Sequence, residues 1–120
     1  MNYDYISIPT RIQAFQMTRE RRVDNRDWPD WLNRAWNGNR NTEGTLQILR
    51  HLWMAKKLPG PGEPCDLEII TLEGAHRVTW DDWIIRGTRG ELYPCKPDVF
   101  AVKYRAVGEQ PSREAAQQET

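Results

Sequence analysis

Two cysteines, two histidines and no surplus of either charge leave this sequence poor in the residues that most often announce a function. With only Cys65 and Cys95 present, the expected state is two reduced thiols in a cytoplasmic protein, although a bond between them stays open at this level. The opening Met1-Asn2-Tyr3-Asp4 does not read as a secretory leader, which fits the same compartment. The histidines and cysteines fall in none of the paired spacings that tetrahedral zinc uses, so no metal and no cofactor are expected. No apolar run approaches the ~20 residues of a membrane helix, so no membrane contact is expected either. Seventeen Lys and Arg balance seventeen Asp and Glu. A nucleic-acid binder normally carries a positive excess, because phosphate neutralisation supplies its non-specific affinity, and nucleic acid is therefore not an expected partner.

Catalytic patterns are missing as well. There is no Gly-rich phosphate loop, no Gly-x-Ser-x-Gly elbow and no His-Glu-x-x-His helix. His51 and His76 have no recognisable nucleophile or ligand partner nearby in sequence. Asp81 and Asp82 are adjacent, and neighbouring strand residues point to opposite faces, so they are expected to shape a turn rather than act as an acid–base couple. The chain is expected not to be an enzyme.

What is present is aromatic and arginine-rich. Six Trp, four Tyr and two Phe give a small core large apolar side chains to build from, or a binding face to line. Thirteen of the seventeen cations are Arg, a bias that suits bidentate recognition of oxyanions. A length of 120 residues fits one domain. We place it at residues 1–107, with a disordered tail at 108–120 where Glu, Gln, Ser and Pro dominate.

The clearest element is helical. Trp28, Trp31, Leu32, Ala35 and Trp36 fall at i, i+3, i+4, i+7 and i+8, one amphipathic stripe over residues 28–36. Asp27 is the expected N-cap, Pro29 sits in the first turn, and Asn37-Gly38 ends the helix. Residues 6–18 alternate as a first strand, with Ile12 and Ala14 on the inward side. Arg19-Glu20-Arg21-Arg22 reads as a solvated turn or helix end. Residues 45–54 read as a strand with some helical character, and the proline- and glycine-rich stretch at 58–64 is a loop of a kind that is often mobile.

Residues 66–80 form a hairpin about Glu73-Gly74, setting Ile69 opposite Val78 and Leu67 opposite Trp80. Trp83-Ile84-Ile85 and Glu91-Leu92-Tyr93 make a second hairpin about Gly87 and Gly90, and Pro97-Asp98 opens a short C-terminal helix. The expected fold is α+β, with an antiparallel curved sheet or small open barrel of five or six strands, one amphipathic helix and a short C-terminal helix. The expected core contains Ile12, Trp31, Leu32, Leu67, Ile69, Val78, Ile85 and Phe100.

One segment carries a resemblance. Asp82-Trp83-Ile84-Ile85-Arg86-Gly87-Thr88-Arg89-Gly90-Glu91-Leu92-Tyr93-Pro94-Cys95-Lys96-Pro97-Asp98-Val99-Phe100, ending at Tyr104, resembles the C-terminal signature of small phage and prophage proteins called PGDYG-like. Ile8-Pro-Thr-Arg-Ile-Gln-Ala-Phe-Gln16 resembles that family's first strand, and Leu72-Glu73-Gly74 its preceding hairpin. The chain departs from the pattern at Thr79-Trp80-Asp81-Asp82, which stands where a Pro-Gly-Asp turn belongs. The resemblance implies phage origin and brings little biochemistry with it.

Two readings of the signature stay open. In one, the glycines and prolines form a turn and kink that close a small barrel, with Lys96 and Asp98 as a surface pair. In the other, Arg86, Arg89, Tyr93 and Lys96 line a cleft in which cations hold phosphates while Tyr93 or Trp83 stacks on a base. The second motivates a functional expectation: a non-catalytic phage accessory protein of the bacterial cytoplasm, acting as a homo-oligomer that sequesters a small nucleotide-like host defence signal. The alternatives are a protein-binding module docking on a host protein through exposed Trp residues, and a minor virion-associated structural protein.

Overall fold

The computed structural model describes residues 2–108; the expected tail lies, apart from Gly108, outside the described residues. The chain runs β1 (Gln13–Gln16), α1 (Arg19–Asp24), α2 (Asp30–Trp36), β2 (Leu46–Ile48), β3 (Leu67–Thr71), β4 (Gly74–Arg77), β5 (Trp83–Arg86), β6 (Leu92–Cys95) and α3 (Pro97–Lys103). A single 3₁₀ turn, Arg50–Leu52, follows β2. The fold is α+β, as the sequence patterning implies, with six antiparallel strands, the upper of the two expected counts. They divide into two three-stranded sheets, β1-β5-β6 and β2-β3-β4, rather than closing into a barrel. The sheets meet where β6 runs against β3 and β4.

Sheet β1-β5-β6 carries apolar side chains on both faces. Its register sets Phe15 opposite Ile84 and Ala14 opposite Ile85, and β6 then opposes Ile85 with Tyr93. Phe15, Ile84 and Leu92 join Met17, Trp28, Leu32, Leu46, Leu67, Ile69 and Val78 in the inner core. The other face carries Trp83, Ile85 and Tyr93, and α3 lies over it. Phe100 stacks flat on Trp83, with ring centroids 4.0 Å apart and planes 4° from parallel, and Tyr104 follows Phe100 at 5.0 Å.

Several local expectations change. In the first strand the buried side is Phe15 and Met17, not Ile12, which is half-buried. The amphipathic helix starts two residues late. Trp28 precedes Pro29, whose ring disfavours the α conformation for the residue before it, and Pro29 is itself extended at ψ 159°. Pro29, not Asp27, is therefore the N-cap, and its carbonyl accepts from Leu32 and Asn33. Trp28 is buried all the same, edge-on to Phe15 and to Trp36. Arg19–Asp24 is a full helix, because Thr18 caps it by accepting from Arg21 N–H and Asn25 ends it in the left-handed conformation at φ 58°. The strand at residues 45–54 stops at Ile48, where the chain turns into the 3₁₀ segment.

The β3–β4 hairpin turns at Leu72-Glu73, with Thr71 opposite Gly74 and Ile69 opposite His76. Gly74 takes φ +118° and the Thr71 hydroxyl accepts from Glu73 N–H, so the turn closes one residue earlier than expected. The partners consequently slip by two, and a slip of two preserves the side-chain alternation. Leu67, Ile69 and Val78 therefore still face the core.

Candidate functional site

The five residues proposed from the signature do not converge. Alternation along β5 and β6 sends Trp83 and Tyr93 to the α3 face and Arg86 to the inner face, opposite Leu92. Trp83 has one ring face occupied by Phe100. Burial, followed by the hydrogen bond with Tyr104, pushes the Tyr93 phenol up to about 12. Arg89 is exposed near the hairpin tip, where its backbone N–H donates to Glu91 Oε2.

Lys96 reaches back to the Thr79–Asp82 turn. Its Nζ donates to Thr79 Oγ1 at 2.7 Å and lies 3.3 Å from Asp82 Oδ2. It does not pair with Asp98. Asp82 is buried and its Oδ2 also accepts from Thr79 N–H, whereas Asp81 is exposed at φ 70°. The two carboxylates shape the turn, as expected, and occupy opposite environments.

The glycines of the β5–β6 loop act differently from each other. Gly90 takes φ +82°, as a tight loop requires. At Gly87 a Cβ would meet only the carboxylate of Glu91, the end of an exposed flexible side chain that can swing aside.

Arg86 enters a cleft of about 310 Å³ between α2, the 38–45 loop and the β5–β6 hairpin. From α2 come Trp31, Arg34 and Ala35, one turn of the helix apart and therefore on one face. The hairpin contributes Arg86, Gly90 and Leu92, and the loop contributes Glu43 beside Thr42 and Thr45. Two guanidiniums and one carboxylate leave the cleft one positive charge in excess. Arg86 Nη1 is held by Gln13 Oε1 at 2.7 Å, which fixes its direction. The loop is pinned too. Thr42 and Thr45 hydroxyls both donate to Asn39 O, and Gly44 N–H donates to Ile70 O of β3. Trp31 packs against the core, as its place on the apolar stripe implies, and also lines the cleft, whereas Arg34 is not among the residues the sequence singles out. The signal was there, because Arg34 lies three residues after Trp31 on a helix, but only the fold reveals that Arg86 faces it.

A second cleft of about 190 Å³ lies between Trp36, Trp53, Leu46 and Ile48. Arg40 stacks over Trp53 at 4.2 Å and donates from Nη2 to Ile48 O. The 58–64 loop is tied down away from both clefts. Arg19 donates to the carbonyls of Gly60 and Glu63, lies 4.7 Å from the Trp80 ring centroid, and Trp80 Nε1 donates to Glu63 O.

Cys65 is buried, its thiol pushed up to about 11 by burial, and Cys95 is half-buried. The two are unpaired. Among the described residues no group of three His, Cys, Asp or Glu side chains gathers as a metal site, and no helix is long and apolar enough to cross a membrane. The molecule is thus defined as a two-sheet α+β protein with a small arginine- and tryptophan-lined cleft. Comparison with protein-family models, curated proteins and solved structures returned no match.

Proposed function

We propose that this protein is a non-catalytic accessory protein of phage type that holds a small nucleotide-like anion in the cleft between α2 and the β5–β6 hairpin. One observation carries the reading: Trp31 and Arg34 of α2 and Arg86 of β5 line one pinned cleft. Guanidiniums match phosphate oxygens bidentately, and an indole supplies a flat apolar surface for a base. A volume of about 310 Å³ sits at the small end of ligand sites, which favours a mononucleotide or compact cyclic nucleotide over a longer oligonucleotide. The phage context rests on the signature, and with it the bacterial cytoplasm and the role of withholding a host defence signal.

Thermal-shift and calorimetric titration with cyclic mononucleotides, cyclic dinucleotides and cyclic ADP-ribose isomers tests the proposal. Binding by at least one compact member is expected. Arg34→Ala and Arg86→Ala should each weaken it about tenfold or more, the scale of a lost charge-assisted hydrogen bond. Glu43→Gln should strengthen it by removing the one opposing charge. Absence of binding across the panel would sink the reading.

A second reading has its own observation. Trp53 is 46% exposed and Met54 78% exposed beside the Arg40 cleft, a surface suited to docking a host protein. Capture from host lysate that is lost on Trp53→Ala and retained on Arg86→Ala would favour it.

A further inference from the structure

The N-terminal arm is the part of the described chain whose apolar residues find least cover. Residues 2–10 are exposed and carry no regular secondary structure. Tyr3, Tyr5, Ile6 and Ile8 are 79%, 94%, 91% and 82% exposed. Among the described residues, hydrogen bonding of this arm is confined to Asp4 N–H donating to Asn2 Oδ1. Four large apolar side chains within six residues are more than solvent exposure normally leaves without a partner. The arm also leads directly into β1, which is the outer strand of its sheet. It therefore emerges from an edge already shaped for strand pairing.

We propose that the arm pairs antiparallel with the same arm of a second copy, about a two-fold axis at Ser7. The symmetry restricts the register. Opposed residues in an antiparallel ladder share a face, and a two-fold axis must carry each residue to its own copy on that same face. Every residue must then oppose one of its own parity, so the axis passes through a residue and not between two. With the axis at Ser7, Ile6 opposes Ile8, Tyr5 opposes Pro9, Asp4 opposes Thr10 and Tyr3 opposes Arg11. Moving the axis to Ile6 sets Asp4 against Ile8, and moving it to Ile8 sets Asp4 against Ile12.

The Ser7 register is chemically self-complementary. One face gathers Ile6 and Ile8 of both copies into a continuous aliphatic cluster. The other lays the Tyr5 ring on Pro9 and the Tyr3 ring on the Arg11 guanidinium, a cation–π arrangement. Pro9 sets the hydrogen-bond phase, because without an N–H it belongs at a non-hydrogen-bonded pair. All odd-numbered pairs are then non-hydrogen-bonded, and the Ile6–Ile8 and Asp4–Thr10 pairs carry the ladder bonds. Ser7 meets its own copy at the narrow spacing of about 4.5 Å between Cα atoms, where a small hydroxyl fits. The area suffices as well. Four tyrosines burying about 150 Å² each supply about half of the ~1,200 Å² at which stable interfaces begin, and the isoleucines and paired backbone add the rest.

The test uses the full chain. Light scattering should give twice 14.1 kDa for the unmodified protein and 14.1 kDa for the Ile6→Asp/Ile8→Asp double variant, with the melting temperature of the domain unchanged. In a Cys95→Ser background, Ser7→Cys should form an intermolecular disulfide on mild oxidation, because the paired Cα distance lies within disulfide range. Tyr5→Cys, whose two copies sit four residues out of register, should not. A monomeric unmodified protein, a double variant that stays dimeric, or equal cross-linking at positions 5 and 7 would each overturn the proposal. This outcome is independent of ligand binding in the cleft.

Discussion

Arg22 and Asp66 are 44 residues apart in sequence and form a two-pronged ion pair, Nε to Oδ1 and Nη2 to Oδ2, both at 3.0 Å. Their side chains are 7% and 5% exposed, and the guanidinium also lies 5.1 Å from the Trp36 ring centroid. Read locally, Arg22 belongs to a charge cluster that any helix end would leave in water. The tertiary structure buries it because α1 is laid against the segment leading into β3. Removing one partner strands a charge, so Asp66→Asn should cost about 3–5 kcal/mol. Replacing both, as Arg22→Met/Asp66→Leu, should recover most of that loss, since the desolvation of the pair is relieved at the same time. Urea denaturation of the two variants checks this; equal destabilisation would show that the site needs the charges themselves.

The buried Cys65 thiol and the half-buried Tyr93 phenol both hold their protons more tightly in the folded state. The Cys65 thiol and the Tyr93 phenol ordinarily ionise at 9.0 and 10.0 but are held to about 11 and about 12 in the folded protein. The folded state therefore binds more protons than the unfolded state between pH 9 and 12. Their contribution to stability is fully present below about pH 9 and is lost as pH rises through that window. Tyr93→Phe should flatten the upper part of the fall and Cys65→Ala its lower part, each read as the urea midpoint against pH.

At the scale of the element, local patterning worked where it depends on near neighbours. The 3.6-residue stripe of α2, the β5–β6 hairpin and the α3 start at Pro97 all repeat within a few residues and are legible from sequence. The misreadings share a cause of another kind, a single residue whose backbone geometry outweighed the pattern: Pro29 delaying α2, Gly74 moving a turn, Thr18 capping a helix read as solvent. The β5–β6 loop depends on such a residue, and Gly90→Ala should cost about 1–2 kcal/mol for a left-handed position without strain relief. α3 depends instead on its ring stack. Phe100→Leu keeps much of the apolar area and should lose about 1 kcal/mol of aromatic pairing, together with a change in Trp83 fluorescence. Unaltered emission would mean that the stack does not persist in solution.

At the scale of the molecule, the decisive connections are long. Gln13 pairs with Arg86, 73 residues on, so the first strand has no partner until the fifth is made. Folding must close that loop before β1 is stable, which adds a loop-closure cost to forming the first sheet. A chain ending before β5 should lack native far-UV circular dichroism, whereas one ending after α3 should retain it.

By itself, the sequence determined the class, the strand count to within one, the principal helix and the terminal one, because these follow from periodicity and from turn and cap residues acting over a few positions. It also carried the alternation that survives the slipped β3–β4 register. The tertiary structure alone decided the rest: two sheets instead of one, an ion pair inside the core, and a cleft in which Arg86 meets Arg34 and Trp31 while Trp83, Tyr93 and Lys96 are spent on α3 and the Thr79–Asp82 turn. Which residues share a face is a local property of a strand. What covers that face is settled only by partners dozens of residues away.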